Sequence, residues 1–152
     1  MSTRRILLGQ LAAVLAVGPA IAATESNKSP LIKVYKSPTC GCCSKWIDHV
    51  QTAGFQVEAT DVVDVAVYKQ QYGVPRELSA CHTGIVAGYV VEGHVPADDI
   101  IRLLREQPDV VGIAVPGMPM GSPGMESPRP ERYETLAFDK EGGITVFAVH
   151  EA

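Results

Sequence analysis

Three of the four cysteines in this chain fall within four consecutive residues, Cys40-Gly41-Cys42-Cys43, and the fourth is Cys81. Disulfides that staple a fold are spread out, because their stabilisation grows with the loop each one closes. Bridges inside this cluster would close almost no loop. The clustering makes sense if the sulfurs are wanted together for chemistry. A cysteine at a helix start is favoured as thiolate by free backbone N–H groups and the helix dipole. A thiolate attacks disulfides and also binds soft metal ions. The pair Cys40 and Cys43 suits either purpose. Cys42 is an extra thiol between them. Neighbouring helical residues point about a quarter turn apart, so Cys42 and Cys43 would present sulfurs to different sides of one ion cluster.

Thiolates select Cu(I), Zn(II) and iron–sulfur clusters. Four thiolates around a single Cu(I) would leave a charge of about −3, costly in a partly buried site. Several Cu(I) ions bridged by the sulfurs come closer to neutrality, so a small multinuclear cluster is the expected form. Zinc is the chemical rival, but its structural four-cysteine sites use two separated C-x-x-C knuckles, and this chain has one. An iron–sulfur cluster fits poorly with ligands this cramped.

Other side chains could join the site. Met118, Met120 and Met125 carry soft thioethers in a Pro/Gly-rich stretch, and thioethers suit Cu(I); packing over the core is their alternative role. Met118 and Met120 are two apart and would face the same way in an extended segment. His94 follows a strand and is a candidate ligand, or simply bonds a turn carbonyl. For His82, structural and functional readings both stay open. His49 and His150 read as surface histidines, and Trp46 as core. Without metal, the expected pairing is Cys40–Cys43 with Cys42–Cys81, since a Cys42–Cys43 bridge between neighbours would strain the backbone.

The elements that must hold these residues follow from pattern. Leu31 to Lys36 is apolar and β-prone, a strand. Ser37-Pro38-Thr39 is a turn, with Ser37 or Thr39 placed to cap a helix. Cys43, Trp46, Ile47, Val50 and Ala53 recur at helical spacing, and Gly54 is placed to end that helix. A second strand runs from Phe55 to Thr60, and a short helix from Asp64 to Tyr72. Cys81 to Ala87 and Tyr89 to Glu92 read as a hairpin. A helix begins at Pro96 and buries Ile100, Ile101, Leu103 and Leu104. Pro116 to Pro130 reads as a long loop, and Tyr133 to Phe138 and Ile144 to His150 as a second hairpin around Glu141-Gly142-Gly143.

The composition, 46% hydrophobic and 20% charged over 152 residues, is that of one folded domain and excludes a disordered chain. The net charge of −4 leaves no basic footprint for nucleic acid. Residues 1–22 read as an export signal: Arg4 and Arg5, an apolar run from Ile6 to Val17, then Ala20-Ile21-Ala22. The run is too short to span a membrane. Thr3-Arg4-Arg5 is compatible with either the twin-arginine or the general secretory route. Residues 23–30 form a linker, and 31–152 a single domain with a core at 31–106. The expected location is the periplasm, with no stable membrane span after cleavage.

The order strand, cysteine pair, helix, strand, helix, hairpin, helix resembles the thioredoxin and glutaredoxin fold over residues 31–106. A closer resemblance covers nearly the whole mature chain. Its motifs are Tyr35-Lys36-Ser37-Pro38-Thr39-Cys40-Gly41-Cys42-Cys43, Gly73-Val74-Pro75 and Ser79-Ala80-Cys81-His82-Thr83. The stretches from Gly88 to Pro96 and from Val115 to Glu126 belong to it too. These are similar to a periplasmic metal-binding family that includes the copper-resistance protein CopG. The resemblance implies an α/β, thioredoxin-like fold with an added C-terminal Met/Pro/Gly loop and β-hairpin. It also implies copper handling by the cysteines, with copper ions and other periplasmic copper-handling proteins as partners. Thioredoxin-type oxidoreductases carry a cis-proline facing the cysteine pair. Ala80-Cys81-His82-Thr83 has no proline, so Cys81 would stand in its place as a fourth sulfur. The expected function is Cu(I) binding through Cys40, Cys42, Cys43 and Cys81, with Met118, Met120 and His94 as further ligands. The alternatives are a thiol–disulfide or copper oxidoreductase using the same sulfurs, and a disulfide-stapled domain without a redox role.

Overall fold

The computed structural model describes residues 29–152. The export signal and most of the expected linker lie outside the described residues. The elements are β1 (Leu31–Lys36), α1 (Gly41–Thr52), β2 (Gln56–Asp61), α2 (Val65–Gln71), a single 3-10 turn (Arg76–Leu78), β3 (His82–Val86), β4 (Tyr89–Gly93), α3 (Ala97–Glu106), β5 (Gly112–Val115), β6 (Tyr133–Phe138) and β7 (Ile144–His150). The strands form one mixed seven-stranded sheet in the order β2-β1-β3-β4-β5-β6-β7. β1 pairs parallel with β2 and β4 parallel with β5; β1–β3, β3–β4, β5–β6 and β6–β7 are antiparallel. The protein is therefore α/β with a continuous sheet. Among the described residues no helix is long and apolar enough to cross a membrane.

Strand alternation sorts side chains into two cores. Val91, Ile113, Val115 and Ala137 join Trp46 and Val50 of α1 and Ile100 and Leu103 of α3 in the larger one. Their neighbours Val90, Ala114 and Phe138 join Leu78 in the smaller one. α2 buries no residue fully. It is attached by Tyr68 and Tyr72, both stacked on Tyr35 of β1, and by an ion pair from Lys69 to Glu92.

The structure departs from the sequence reading in several places. β5 was not expected, because four residues between two proline-containing stretches carry too short a pattern to stand out. Ile101 lies on the outer side of α3, 43% exposed, while Ile100 and Leu103 are fully buried. His49 is half-buried; its Nε2 accepts the Ala97 N–H at 3.0 Å, tying α1 to the start of α3. His150 is also drawn inward, with Nε2 2.9 Å from Asp99 Oδ2 and its ring stacked on Tyr133. Both histidines found polar partners on elements far away in sequence, which local pattern does not reveal. The first helix is capped by Cys40, not by Ser37 or Thr39.

Candidate metal centre

The site is built at the N-terminus of α1. Cys40 occupies the capping position in extended conformation and makes no side-chain capping bond, and the first turn holds no acidic residue. The free first-turn N–H groups are thus left to the sulfurs. Cys43, one turn in, is fully buried, and Cys42 faces the partly open side. Cys81 arrives from the other direction, immediately before β3. The sulfurs of Cys40, Cys42, Cys43 and Cys81 all lie within 4.8 Å of one another.

Cys40 and Cys43 are joined in a disulfide, as expected. The second expected bridge, Cys42–Cys81, is not formed, and both are free thiols. The neighbours of each sulfur give the reason. Cys42 Sγ is 3.5 Å from Cys40 Sγ and 4.0 Å from Met118 Sδ. Cys81 Sγ is instead engaged by two imidazoles, at 2.9 Å from His94 Nε2 and 3.3 Å from His82 Nδ1. Burial, followed by the neighbouring Cys42, pushes the Cys81 thiol up to about 12.

His94 Nδ1 lies 2.7 Å from the Pro123 carbonyl oxygen. A carbonyl only accepts, so Nδ1 carries the proton and the lone pair of the neutral ring sits on Nε2, facing Cys81. Burial lowers the pKa of His94, opposed by the Pro123 bond and by Glu126. His82 is completely buried against Trp46, and burial followed by His94 holds it well below its ordinary value.

The segment carrying Cys81 is pinned by a network the sequence reading missed. Glu92, fully buried on β4, accepts from Ala80 N–H at 2.7 Å, from Thr83 Oγ1 at 2.7 Å and from Lys69 Nζ. A charged residue inside Val90-Val91-Glu92-Gly93 was the signal available. Gly93 follows with φ +73, and a Cβ there would lie 2.5 Å from Ala80 Cβ and 2.7 Å from Val115 O. Only glycine lets β4 turn His94 toward the sulfurs at so close an approach.

The loop at 116–130 lies across this site. Gly124, at φ +87, is so close to α1 that a Cβ would meet Cys42 O at 2.7 Å. Its N–H donates to Glu126 Oε1. Met118, 51% exposed, brings its sulfur to Cys42; Met120 is also exposed, and its backbone N–H donates to Glu131 Oε1. Of the candidate ligands, then, the four cysteines, His94 and Met118 converge, while Met120 is held at the loop surface.

Fold and site together define a small α/β protein with a sulfur-rich centre at a helix N-terminus, a group of side chains able to hold a metal ion. The family model described as "Protein of unknown function, DUF411" matches residues 78–125, the stretch from the end of the 3-10 turn into the Met/Pro/Gly loop. Two solved structures are similar. "Copper resistance protein copG- Form 2" is 44% identical, with a TM-score of 0.78 over 81% of this chain and 99% of that one. "Copper resistance protein copG- Form 1" is 43% identical, with a TM-score of 0.78 over 82% of this chain and 100% of that one. No curated protein sequence matches. At this identity and coverage the chain belongs to the family of the copper resistance protein CopG.

Proposed function

We propose that this chain is an exported periplasmic protein of copper resistance and homeostasis that holds Cu(I) through Cys40, Cys42, Cys43 and Cys81. The observation that carries this reading is the convergence of four sulfurs within 4.8 Å. No staple of the fold requires it, and soft ions favour it. The copper resistance named for the similar structures supports the choice of copper over zinc. His94 Nε2 and the Met118 thioether adjoin the sulfurs and serve as further ligands, while Met120, exposed on the same loop, serves as an outer ligand during copper entry. The order β2-β1-β3-β4, with β3 antiparallel to β1 and the cysteines after β1, supports a thioredoxin-like core. Residues 1–22 act as the export signal, and other periplasmic copper-handling proteins supply or receive the ion.

A second reading, thiol–disulfide exchange, is favoured by the Cys40–Cys43 bridge with a free Cys42 sulfur 3.5 Å away. One experiment separates the two. The purified mature protein is assayed for metal and free thiols before and after reductant. Copper at or above about one per chain, taken up only after reduction, is expected for a store of Cu(I), since a disulfide sulfur is a poor ligand. Turnover of a disulfide substrate with no copper retained would replace the metal reading with the exchange reading.

A further inference from the structure

We propose that the cleft between α2 and the 3-10 turn is a binding site for a small organic anion, a carboxylate on a short carbon skeleton. The site does not depend on the function proposed above and shares no residue with the sulfur centre.

The Gly73-Val74-Pro75 motif builds the cleft. Gly73, at φ +72, turns the chain out of α2, a conformation that favours glycine. Val74 N–H donates to Lys69 O at 2.9 Å and holds the connection against the end of the helix. Pro75 then caps the 3-10 turn, and Leu78, 3% exposed, anchors that turn in the smaller core. The cavity left between helix and turn is about 440 Å³, within the range of small-molecule sites. Ala66, Lys69 and Gln70 line it from one face of α2, and Val74, Arg76 and Ser79 line it from the connection and the turn. Sheet alternation sets the cleft apart from the metal centre. His82 packs on Trp46 on the α1 side, whereas Thr83 meets Lys69 on the α2 side.

The lining fixes the charge of the ligand. It contains two cations and no carboxylate; the adjoining Glu77 is not part of it. Lys69 is already compensated, because its ammonium donates to the buried Glu92 and to Thr83 Oγ1 at 3.1 Å. A lysine ammonium has three donors, so one is left over at the floor of the cleft. Arg76 is the uncompensated charge: it is exposed and has no ion-pair partner among the described residues. A guanidinium takes a carboxylate through two parallel N–H donors, and Gln70 and Ser79 add neutral donors beside it. Ala66 and Val74 are apolar walls that a carbon skeleton would cover and an inorganic anion would leave bare. The donors select an anion, and the walls select an organic one.

The test uses the metal-free mature chain with its Cys40–Cys43 bridge, titrated separately with succinate, benzoate and inorganic phosphate. Salt is kept at about 0.15 M, where distant surface charges are screened. Binding is followed by calorimetry and by the backbone amide resonances. Saturable shifts are expected at Lys69, Gln70, Arg76 and Ser79 with at least one of the two organic acids, and weaker binding of phosphate. Arg76→Gln, a change at an exposed position, should weaken binding by about tenfold or more, the loss of a charge-assisted hydrogen bond. Arg76→Lys keeps the charge without the fork and should recover part of it. Ala66→Trp, which fills the cleft from an exposed helix position, should abolish it. Three results would each overturn the proposal: no saturable shift at those four residues with either organic acid, equal binding by wild type and Arg76→Gln, or tighter binding of phosphate than of both organic acids. Copper enters none of these readouts, so the outcome stands whether or not the four-sulfur reading does.

Discussion

Cys81 lies against the other three cysteines and against two imidazoles, and its surroundings show how side chains distant in sequence set the environment of one sulfur. It sits at the start of the inner strand β3, with His94 and His82 on either side and Cys42 across the gap. The four cysteines were legible as a group because three of them are adjacent. The placement of Cys81 beside them followed from the resemblance to the thioredoxin order. The imidazole partners were less legible: the contact to His94 depends on a hairpin turn and on Pro123, far down the chain. The methionines can be separated in the same way. Met118 Sδ meets Cys42 Sγ at 4.0 Å, whereas Met120 faces outward. Leucine conserves volume and removes sulfur, so each single change should shift stability by less than about 1.5 kcal/mol. Met118→Leu is expected to slow Cu(I) loading measured by stopped flow, and Met120→Leu to slow it less. Equal rates for wild type and Met118→Leu would reduce the loop to packing.

At the scale of elements, the hairpin of β3 and β4 and the start of α1 act as the two jaws that bring the sulfurs together. The buried ion pair of Lys69 and Glu92 fixes the first jaw, since Glu92 also takes the Ala80 N–H one residue before Cys81. Removing one member of a buried pair leaves the other uncompensated and costs about 3–5 kcal/mol. Glu92→Ala should therefore lower the unfolding free energy measured by denaturant titration by an amount in that range and weaken Cu(I) binding, although Glu92 touches no sulfur. Glu92→Gln, which retains an acceptor for Ala80, should keep more of the binding than of the stability. A Glu92→Ala protein with wild-type stability would show that the network is incidental. Periodicity revealed α1, α2, α3 and both hairpins, because each is long enough to repeat its pattern. It missed β5, whose Gly112-Ile113-Ala114-Val115 has four residues buried on both faces and so shows no alternation.

Across the whole molecule, the C-terminal loop and hairpin complete the sheet, so the domain cannot be divided at the end of the 31–106 core. β6 and β7 extend the sheet beyond β5, and Ala137 and Phe138 of β6 enter the two cores. Asp99 of α3, itself buried, accepts from Thr135 Oγ1 at 2.6 Å and faces His150 Nε2 at 2.9 Å. A chain ending after Met125 would expose β5, lose the burial of Phe138, worth about 1.5–3 kcal/mol, and strand the Asp99 carboxylate. It is expected to lack a cooperative thermal transition by circular dichroism; a sharp transition would show that the domain folds without β6 and β7. The sequence resemblance covered this region, but local pattern could not say that the hairpin continues the same sheet. The central claim is that four sulfurs, including the distant Cys81, hold Cu(I) as one centre. It is tested most directly by titrating fully reduced wild type and Cys81→Ser with Cu(I) against a competing chelator. The account predicts that Cys81→Ser loses affinity by at least about tenfold, because a hydroxyl oxygen is a poor ligand for Cu(I); binding by Cys81→Ser equal to wild type in affinity and stoichiometry would contradict it.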